Sequence, residues 1–344
     1  MEDKDTNWLD SALMAHNRLT ESVVIIIENL LKANNIDYLT VTGRTKDKKS
    51  ALEKINRKSY KNPKSQMTDL SGIRIILYFE SDINKVSELI SDSFDIDFDN
   101  SLDKSKVLSK DQIGYRSVHY VCTLGQGRSN LPEYLELGEL KFEVQVRTIL
   151  QHAWAELAHD SSYKFSGTLP PEIERKLYLY AGMLEIADKG FDEISAQIDS
   201  YKKSVDEKSK AGDYSISIDS ISLSEFFNSW ASKNNINITS SPKNTSELIQ
   251  ELSLFGIKTL AELNDIIPKE YATIYNKLED ESNILGVIRD WMLINDWKKF
   301  INDVSFNWAL DEDSIKILRE LIENKELKDM IDEFKKKNAF IIDD

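Results

Sequence analysis

The chain has 344 residues, 41% of them hydrophobic and 30% charged, with a net charge of −15. That balance belongs to a globular protein with a sizeable core and, by length, about two domains. No apolar stretch approaches the ~18 residues that span a bilayer. The start Met-Glu-Asp-Lys-Asp lacks the basic head of a secretory leader. The single cysteine, Cys122, excludes an internal disulfide and a multi-cysteine zinc site. A cytoplasmic protein with no membrane partner is the expectation.

In chain order, Leu9, Leu13, Leu19, Val23, Ile27 and Leu31 recur at helical spacing and predict a helix over residues 6–34. Residues 38–42 are β-branched and aromatic and read as a strand. Residues 50–58 read as a helix with Ser50 as its N-cap. The run 73–79 is nearly all apolar, as in a buried central strand. A helix over 82–92 and a strand over 117–124 follow. Residues 140–146 alternate: Leu140, Phe142, Val144 and Val146 take one face, and Lys141, Glu143, Gln145 and Arg147 the other. A helix is expected over 149–163, then one or two helices over 172–208 after Pro170-Pro171. Strands interleaved with helices make residues 1–205 an α/β (α+β) domain around a central sheet. Residues 206–213 have linker composition. From 214 to 344 helical patterns dominate, over 224–232, 246–254, 260–267, 269–278, 282–302 and 313–336.

Charge divides unevenly. Residues 1–212 hold 29 basic and 34 acidic residues; residues 213–344 hold 15 and 25. So acidic a second half is unsuited to DNA, which is held through its phosphates. Within the first half, residues 41–64 hold nine basic residues and two acidic ones. Such a cluster suits a polyanion or a solvated loop.

Five groups of residues carry chemistry. Glu143, Gln145 and Arg147 share one strand face, solvated or functional. Asp69 stands before the buried strand, followed by Gly72. A turn residue fits there, and so does an acid that holds Mg2+ beside substrate phosphates. Arg44, Lys46, Lys48, Lys49 and Lys54 surround a strand end and the helix start near Ser50, where guanidinium forks and ammonium groups suit a triphosphate. No Walker A sequence is present. In Gly114-Tyr115-Arg116-Ser117-Val118-His119, Tyr115 is placed either in a core or stacked on a base. His119 shares the face of Ser117. Finally His152, Glu156 and His159 crowd one helix beside Trp154, but their order is not His-Glu-x-x-His, which disfavours a metal site.

Together these segments resemble the synthetase domain of the RelA/SpoT alarmone synthetase family. The residues that carry the resemblance are Gly43-Arg44-Thr45-Lys46-Asp47-Lys48-Lys49-Ser50 with Lys54, Asp69-Leu70-Ser71-Gly72-Ile73-Arg74-Ile75, Gly114 to Tyr120, and Phe142-Glu143-Val144-Gln145-Val146-Arg147-Thr148. Trp154 to His159 and Tyr163-Lys164 complete the set, over roughly residues 20–200. The resemblance implies a nucleotidyltransferase-like mixed β-sheet flanked by helices. It implies ATP as donor, Mg2+ as cofactor and transfer of pyrophosphate to a ribose 3′-hydroxyl. By position, Arg44, Lys46, Ser50, Lys54 and Arg74 would bind ATP. Asp69 and Glu143 would be catalytic and hold the metal. Tyr115, Arg116, His119, Gln145, Arg147 and His159 would bind the acceptor.

Residues 103–113 depart from the pattern of housekeeping synthetases, which leaves the acceptor open: GDP or GTP, an adenine nucleotide, or the 3′ end of tRNA, the last being a translation toxin's chemistry. The resemblance also admits a toxin–antitoxin or phage-defence setting, with a protein trigger or antitoxin, and an inactive nucleotide sensor. The companion hydrolase domain of long family members is not expected, since its metal site needs several histidines and the sequence has four. The second half is expected to be a regulatory or interaction domain. Its residues 252–263 faintly resemble a helix-hairpin-helix. Trp230, Trp291, Trp297 and Trp308, with Phe226 and Phe227, suit a core or a partner surface. Tyr271 and Tyr275 suit helix packing or a plug for the ATP site.

Overall fold

The computed structural model describes residues 7–103, 117–164, 169–237, 244–278, 282–310, 315–337 and 339. The chain divides into two compact units, Met1–Ser195 and Ala196–Asp344.

The first unit is built on a mixed sheet. Its strands are β1 (Tyr38–Thr45), β2 (Ser71–Leu77), β3 (Asp95–Ile96), β4 (Leu102–Asp103), β5 (Val118–Thr123) and β6 (Phe142–Thr148). The order is β1-β2-β6-β5-β3, with β4 also paired to β5. β2 and β6 run parallel at the centre, and the other pairings are antiparallel. β6 alternates as its sequence requires: Phe142, Val144, Val146 and Thr148 are buried, and the three polar residues between them are half-buried. Helix α1 (Asn7–Ala33) lays Leu19, Val23, Ile27 and Leu31 into one core with Ile73, Ile75, Val144 and Val146. The helix Ser81–Ser93 adds Ile83, Val86 and Ile90. Burying these side chains is what holds the sheet's other face open to function, at roughly 1.5–3 kcal/mol each.

Two local outcomes differ from the sequence reading. β1 runs to Thr45, because its ladder with β2 continues through Arg44↔Gly72 and Thr45↔Ser71. Helix α2 (Lys48–Lys58) begins earlier than residue 50, and its N-cap is Asp47, not Ser50. A carboxylate accepts an amide hydrogen more strongly than a hydroxyl does, and Asp47 takes the Ser50 N–H at 2.9 Å and the Ser50 O–H at 2.7 Å.

One helix, Pro171–Lys210, covers the region read as one or two, and it extends into the stretch with linker composition. Within the first unit its Asp188 accepts the Thr148 hydroxyl at 2.5 Å. Burial pushes the Asp188 carboxyl up, against that hydrogen bond.

The second unit is helical among its described residues. Its core gathers Phe226, Phe227, Leu248, Leu252, Tyr271, Tyr275, Trp291, Trp297 and Phe300, with Trp230 and Trp308 packed against it. These aromatics are therefore core, and Tyr271 and Tyr275, at 0% and 1% exposure, are not available as a plug. Buried Glu251 accepts two hydrogen bonds from Arg289, each 2.8 Å, and one from the Trp308 indole at 2.9 Å. The region read as a single helix over 313–336 holds two, Lys316–Leu321 and Asn324–Lys336. The helix Ile284–Asp303 breaks at Asp296, whose side chain caps the following turn through the Lys299 N–H.

Residues 252–263 run from the end of one helix, Ser246–Leu254, into the next, Leu260–Asp265, turning at Gly256 with φ +88°. The amides of this turn are spent internally: Glu262 accepts from Lys258 and Thr259, and the 214–218 segment uses the neighbouring backbone. Nothing is left there for a phosphate. Among the described residues no helix is long and apolar enough to cross a membrane.

Candidate active site

The exposed face of the sheet presents one side chain from each strand at each level. Register sets Arg44 beside Gly72 and Gly72 beside Glu143; one step on, Thr42, Arg74, Gln145 and His119 form a second row. Over this face lies a cavity of about 790 Å3. Its walls include eight of the residues singled out above: Arg44, Lys46, Ser50, Lys54, Asp69, Arg74, Glu143 and Gln145. Thr42, Gly43, Glu53, Arg57 and Gly72 complete them. Glu53 and Arg57 were not anticipated. Their signal was the i, i+3/i+4 spacing from Ser50 and Lys54 along α2, which puts them on the same helix face.

Asp69 is the hub. Lys46, just past the end of β1, and Lys54, on α2, both reach its Oδ2, at 2.7 and 2.6 Å. Its other oxygen, Oδ1, is buried with no protein partner. Burial alone would raise the Asp69 pKa. The hydrogen bonds and charges of the two lysines outweigh it and hold the carboxyl below its ordinary range.

Glu143 is held differently. His119 Nδ1 lies 2.6 Å from its Oε1, and Gln145 Nε2 donates to the same oxygen at 2.9 Å. Ser117 Oγ sits 2.7 Å from the other imidazole nitrogen. Burial works to raise Glu143, and Asp69's charge adds to that push. The hydrogen bonds from His119 and Gln145 prevail and leave Glu143 below its ordinary value.

Both carboxylates are thus ionised at neutral pH, and an unpartnered carboxylate oxygen remains at Asp69. Gly72, between Arg44 and Glu143, leaves the floor bare: an ideal Cβ there would meet nothing nearer than Arg44 O at 3.8 Å. Two ionised carboxylates beside a bare floor and a basic rim fit Mg2+ together with the phosphates it accompanies.

The remaining expected residues spread outwards. Arg44 is exposed and 3.7 Å from Asp47. The Ser50 amide and hydroxyl are engaged by Asp47, so the α2 N-terminus is already capped by a carboxylate. Arg74 pairs with Glu156 at 2.8 Å. Arg147 lies beyond the cavity with a buried, unpartnered Nε; burial and the neighbouring Arg74 draw its pKa down, against Glu156 and Glu143. His152 joins this cluster 3.8 Å from Glu156. Burial, then Arg74 and Arg147, lower its pKa, against the pull of Glu156. Among the described residues no group of three His, Cys, Asp or Glu could hold a metal by itself. Tyr115 and Arg116, and the side chain of His159, lie outside the described residues.

Residues 43–168 match the family model described as "Region found in RelA / SpoT proteins". Over 176 residues, 50% of this chain, the sequence is 29% identical to GTP pyrophosphokinase YjbM of Bacillus subtilis (strain 168), covering 79% of that relative. GTP pyrophosphokinase YwaC of the same organism is also 29% identical, with 80% of it covered. Among solved structures, small alarmone synthetase 1 from Bacillus subtilis aligns with 57% of this chain and 100% of its own, at 25% identity and a TM-score of 0.48. The same synthetase bound to its product pppGpp aligns at 27% identity over 56% of this chain and 98% of that one, TM-score 0.46.

Proposed function

Because residues 43–168 carry the region found in RelA/SpoT proteins, we propose that the first unit transfers the β,γ-pyrophosphate of ATP to the 3′-hydroxyl of GDP or GTP. The observation that carries this reading is the pairing of two ionised carboxylates, Asp69 and Glu143, across a cavity rimmed by Arg44, Lys46, Lys54, Arg57 and Arg74. A structural ion-pair network has no use for such an open, cation-rimmed space. The curated relatives with matching sequence are named GTP pyrophosphokinases.

The chemistry needs placement and charge neutralisation more than covalent catalysis, since the β-phosphorus is shielded by anionic oxygens. Lys46 and Lys54 are prepared for this. Each is half-buried and held in place by Asp69 Oδ2, so a phosphate entering the cavity finds two ammonium groups already positioned. Arg44 and Arg74 stand on neighbouring strands on either side of Thr42 and Gly72, where two guanidinium planes suit the nucleotide. Asp69 and Glu143 would hold Mg2+, whose charge offsets that developing on the triphosphate. Glu143, kept ionised, accepts the hydrogen bond of the incoming 3′-hydroxyl and aligns it. Gln145, one step along β6, borders the acceptor side.

The test uses the purified chain and a Glu143→Gln variant with ATP labelled in the γ-phosphate, Mg2+, and separately GDP, GTP, AMP, ATP or deacylated tRNA. Label on GDP or GTP that depends on Glu143 supports the proposal. Label on an adenine nucleotide or on tRNA would keep the transfer and replace the acceptor. No label on any would sink it. For residues 214–344 we infer a regulatory role, on the ground that the described residues of the second unit build a hydrophobic core of their own. Deleting 213–344 would then change turnover; identical turnover would refute regulation.

A further inference from the structure

The polar groups around Glu143 are not arranged alike. His119 does not line the cavity. It stands on β5 directly opposite Gln145 and reaches diagonally to Glu143, a separation that a long side chain on a neighbouring strand can bridge. Both hydrogen bonds to Glu143 end on the same oxygen, Oε1. The ionised carboxylate can only accept, so imidazole Nδ1 must carry the hydrogen. In the neutral ring Nε2 is then an acceptor, and the Ser117 hydroxyl, 2.7 Å away, donates to it. Ser117 is 8% exposed and His119 is half-buried, so the chain Ser117–His119–Glu143 is shielded along its length.

We propose that His119 is a positioning residue: with its tautomer set by Ser117, it pins Glu143 through Oε1 and so presents Oε2 to the reacting hydroxyl. This departs from the acceptor-contact role that the family resemblance implied for His119, and it rests on the pyrophosphotransfer reading. A free glutamate side chain samples several rotamers. Fixing one oxygen with two donors from two strands leaves the other in one place, which is the pre-organisation that a transfer governed by alignment requires.

The two imidazole nitrogens make the proposal testable, because asparagine can imitate Nδ1 and glutamine Nε2. The experiment measures kcat and acceptor KM on the full chain, with labelled ATP and the acceptor that the unaltered chain labels. Melting temperatures are recorded for every variant. His119→Asn is expected to keep kcat within about threefold, while His119→Gln and His119→Ala lose about a hundredfold, at unchanged acceptor KM. Ser117→Ala is expected to lose about tenfold in the native background and nothing further in His119→Asn, where no Nε2 remains to be oriented. Activity retained by Gln and lost by Asn would overturn the proposal, as would a loss carried by acceptor KM, or an additive Ser117→Ala effect. If His119→Ala or His119→Gln melts early, the Ser117→Ala and His119→Asn pair still decides. An unaltered chain that labels nothing would instead remove the transfer reading on which the proposal stands.

Discussion

Gly72→Ala separates what the site needs from what the fold needs. Gly72 lies on the cavity face of β2, opposite Glu143 on one side and Arg44 on the other. Its φ is not in the left-handed region, and its ideal Cβ would have ordinary contact only, 3.8 Å from Arg44 O. The fold therefore accepts alanine. Restricting the unfolded chain should add about 0.4–1 kcal/mol, raising the melting temperature by roughly 2 °C for a unit of this size. The cost falls on the substrate. A methyl group on the bare floor displaces a phosphate or its cation by about 1 Å, and a misplacement of that size costs about a hundredfold in turnover. Gly43→Ala is the counter-example. Its Cβ would lie 2.6 Å from Thr20 Cγ2 and 2.7 Å from Val24 Cγ2, so α1 must shift, at about 1–3 kcal/mol. Differential scanning fluorimetry together with label transfer reads both variants. Unimpaired turnover in Gly72→Ala, or a melting temperature several degrees lower, would refute this account of the cavity floor.

Three further outcomes are expected. Glu251→Gln leaves Arg289 buried without its counter-charge and should cost about 3–5 kcal/mol in urea unfolding of the second unit; a loss under 1 kcal/mol would show the pair to be dispensable. Burial lowers the His16 pKa to about 4 from 6.5. His16 thus stays neutral in the fold while the unfolded chain takes up a proton, and stability falls as pH drops from about 6.5 towards 4, by about 3 kcal/mol in all. A His16→Asn chain, compared by urea titration across that window, should lack this component; equal slopes would count against it. Asp69 and Glu143 have lowered pKa values, so their contribution is present above the ordinary carboxylate range and is lost as pH falls through that range towards their lowered values. Lys54→Met removes one of two ammonium groups on Asp69 and should raise the KM for ATP at least tenfold; an unchanged KM would place the triphosphate elsewhere.

The parts of the site set by local rules were legible in the sequence. Alternation alone put Glu143, Gln145 and Arg147 on one face of β6, and the apolar run marked β2 as central. What was not legible depends on which strand lies beside which. The length of β1 comes from its ladder with β2, since residues 43–45 carry no strand signal strong enough alone. Asp47 and Ser50 are both good caps, and only the backbone path decides between them. The two lysines on Asp69 come from positions 23 and 15 residues away. His119 meets Glu143 only because β5 and β6 pair with His119 opposite Gln145, and a one-residue slip would turn it to the other face. The buried Asp188 that accepts from Thr148 gave no signal among the charged residues of a long helix.

The lone thiol has a practical consequence. Cys122 lies on β5, fully buried, with burial raising its pKa to about 12. A protonated, enclosed sulfur is nearly inert towards maleimides and iodoacetamides at neutral pH. A cysteine introduced at an exposed position, such as Ser91 on the helix Ser81–Ser93 or Lys328 on the helix Asn324–Lys336, would then take a fluorophore or spin label selectively in the otherwise native protein. Distance measurements within either unit need no cysteine-free background, and the native β5 packing behind His119 is left untouched.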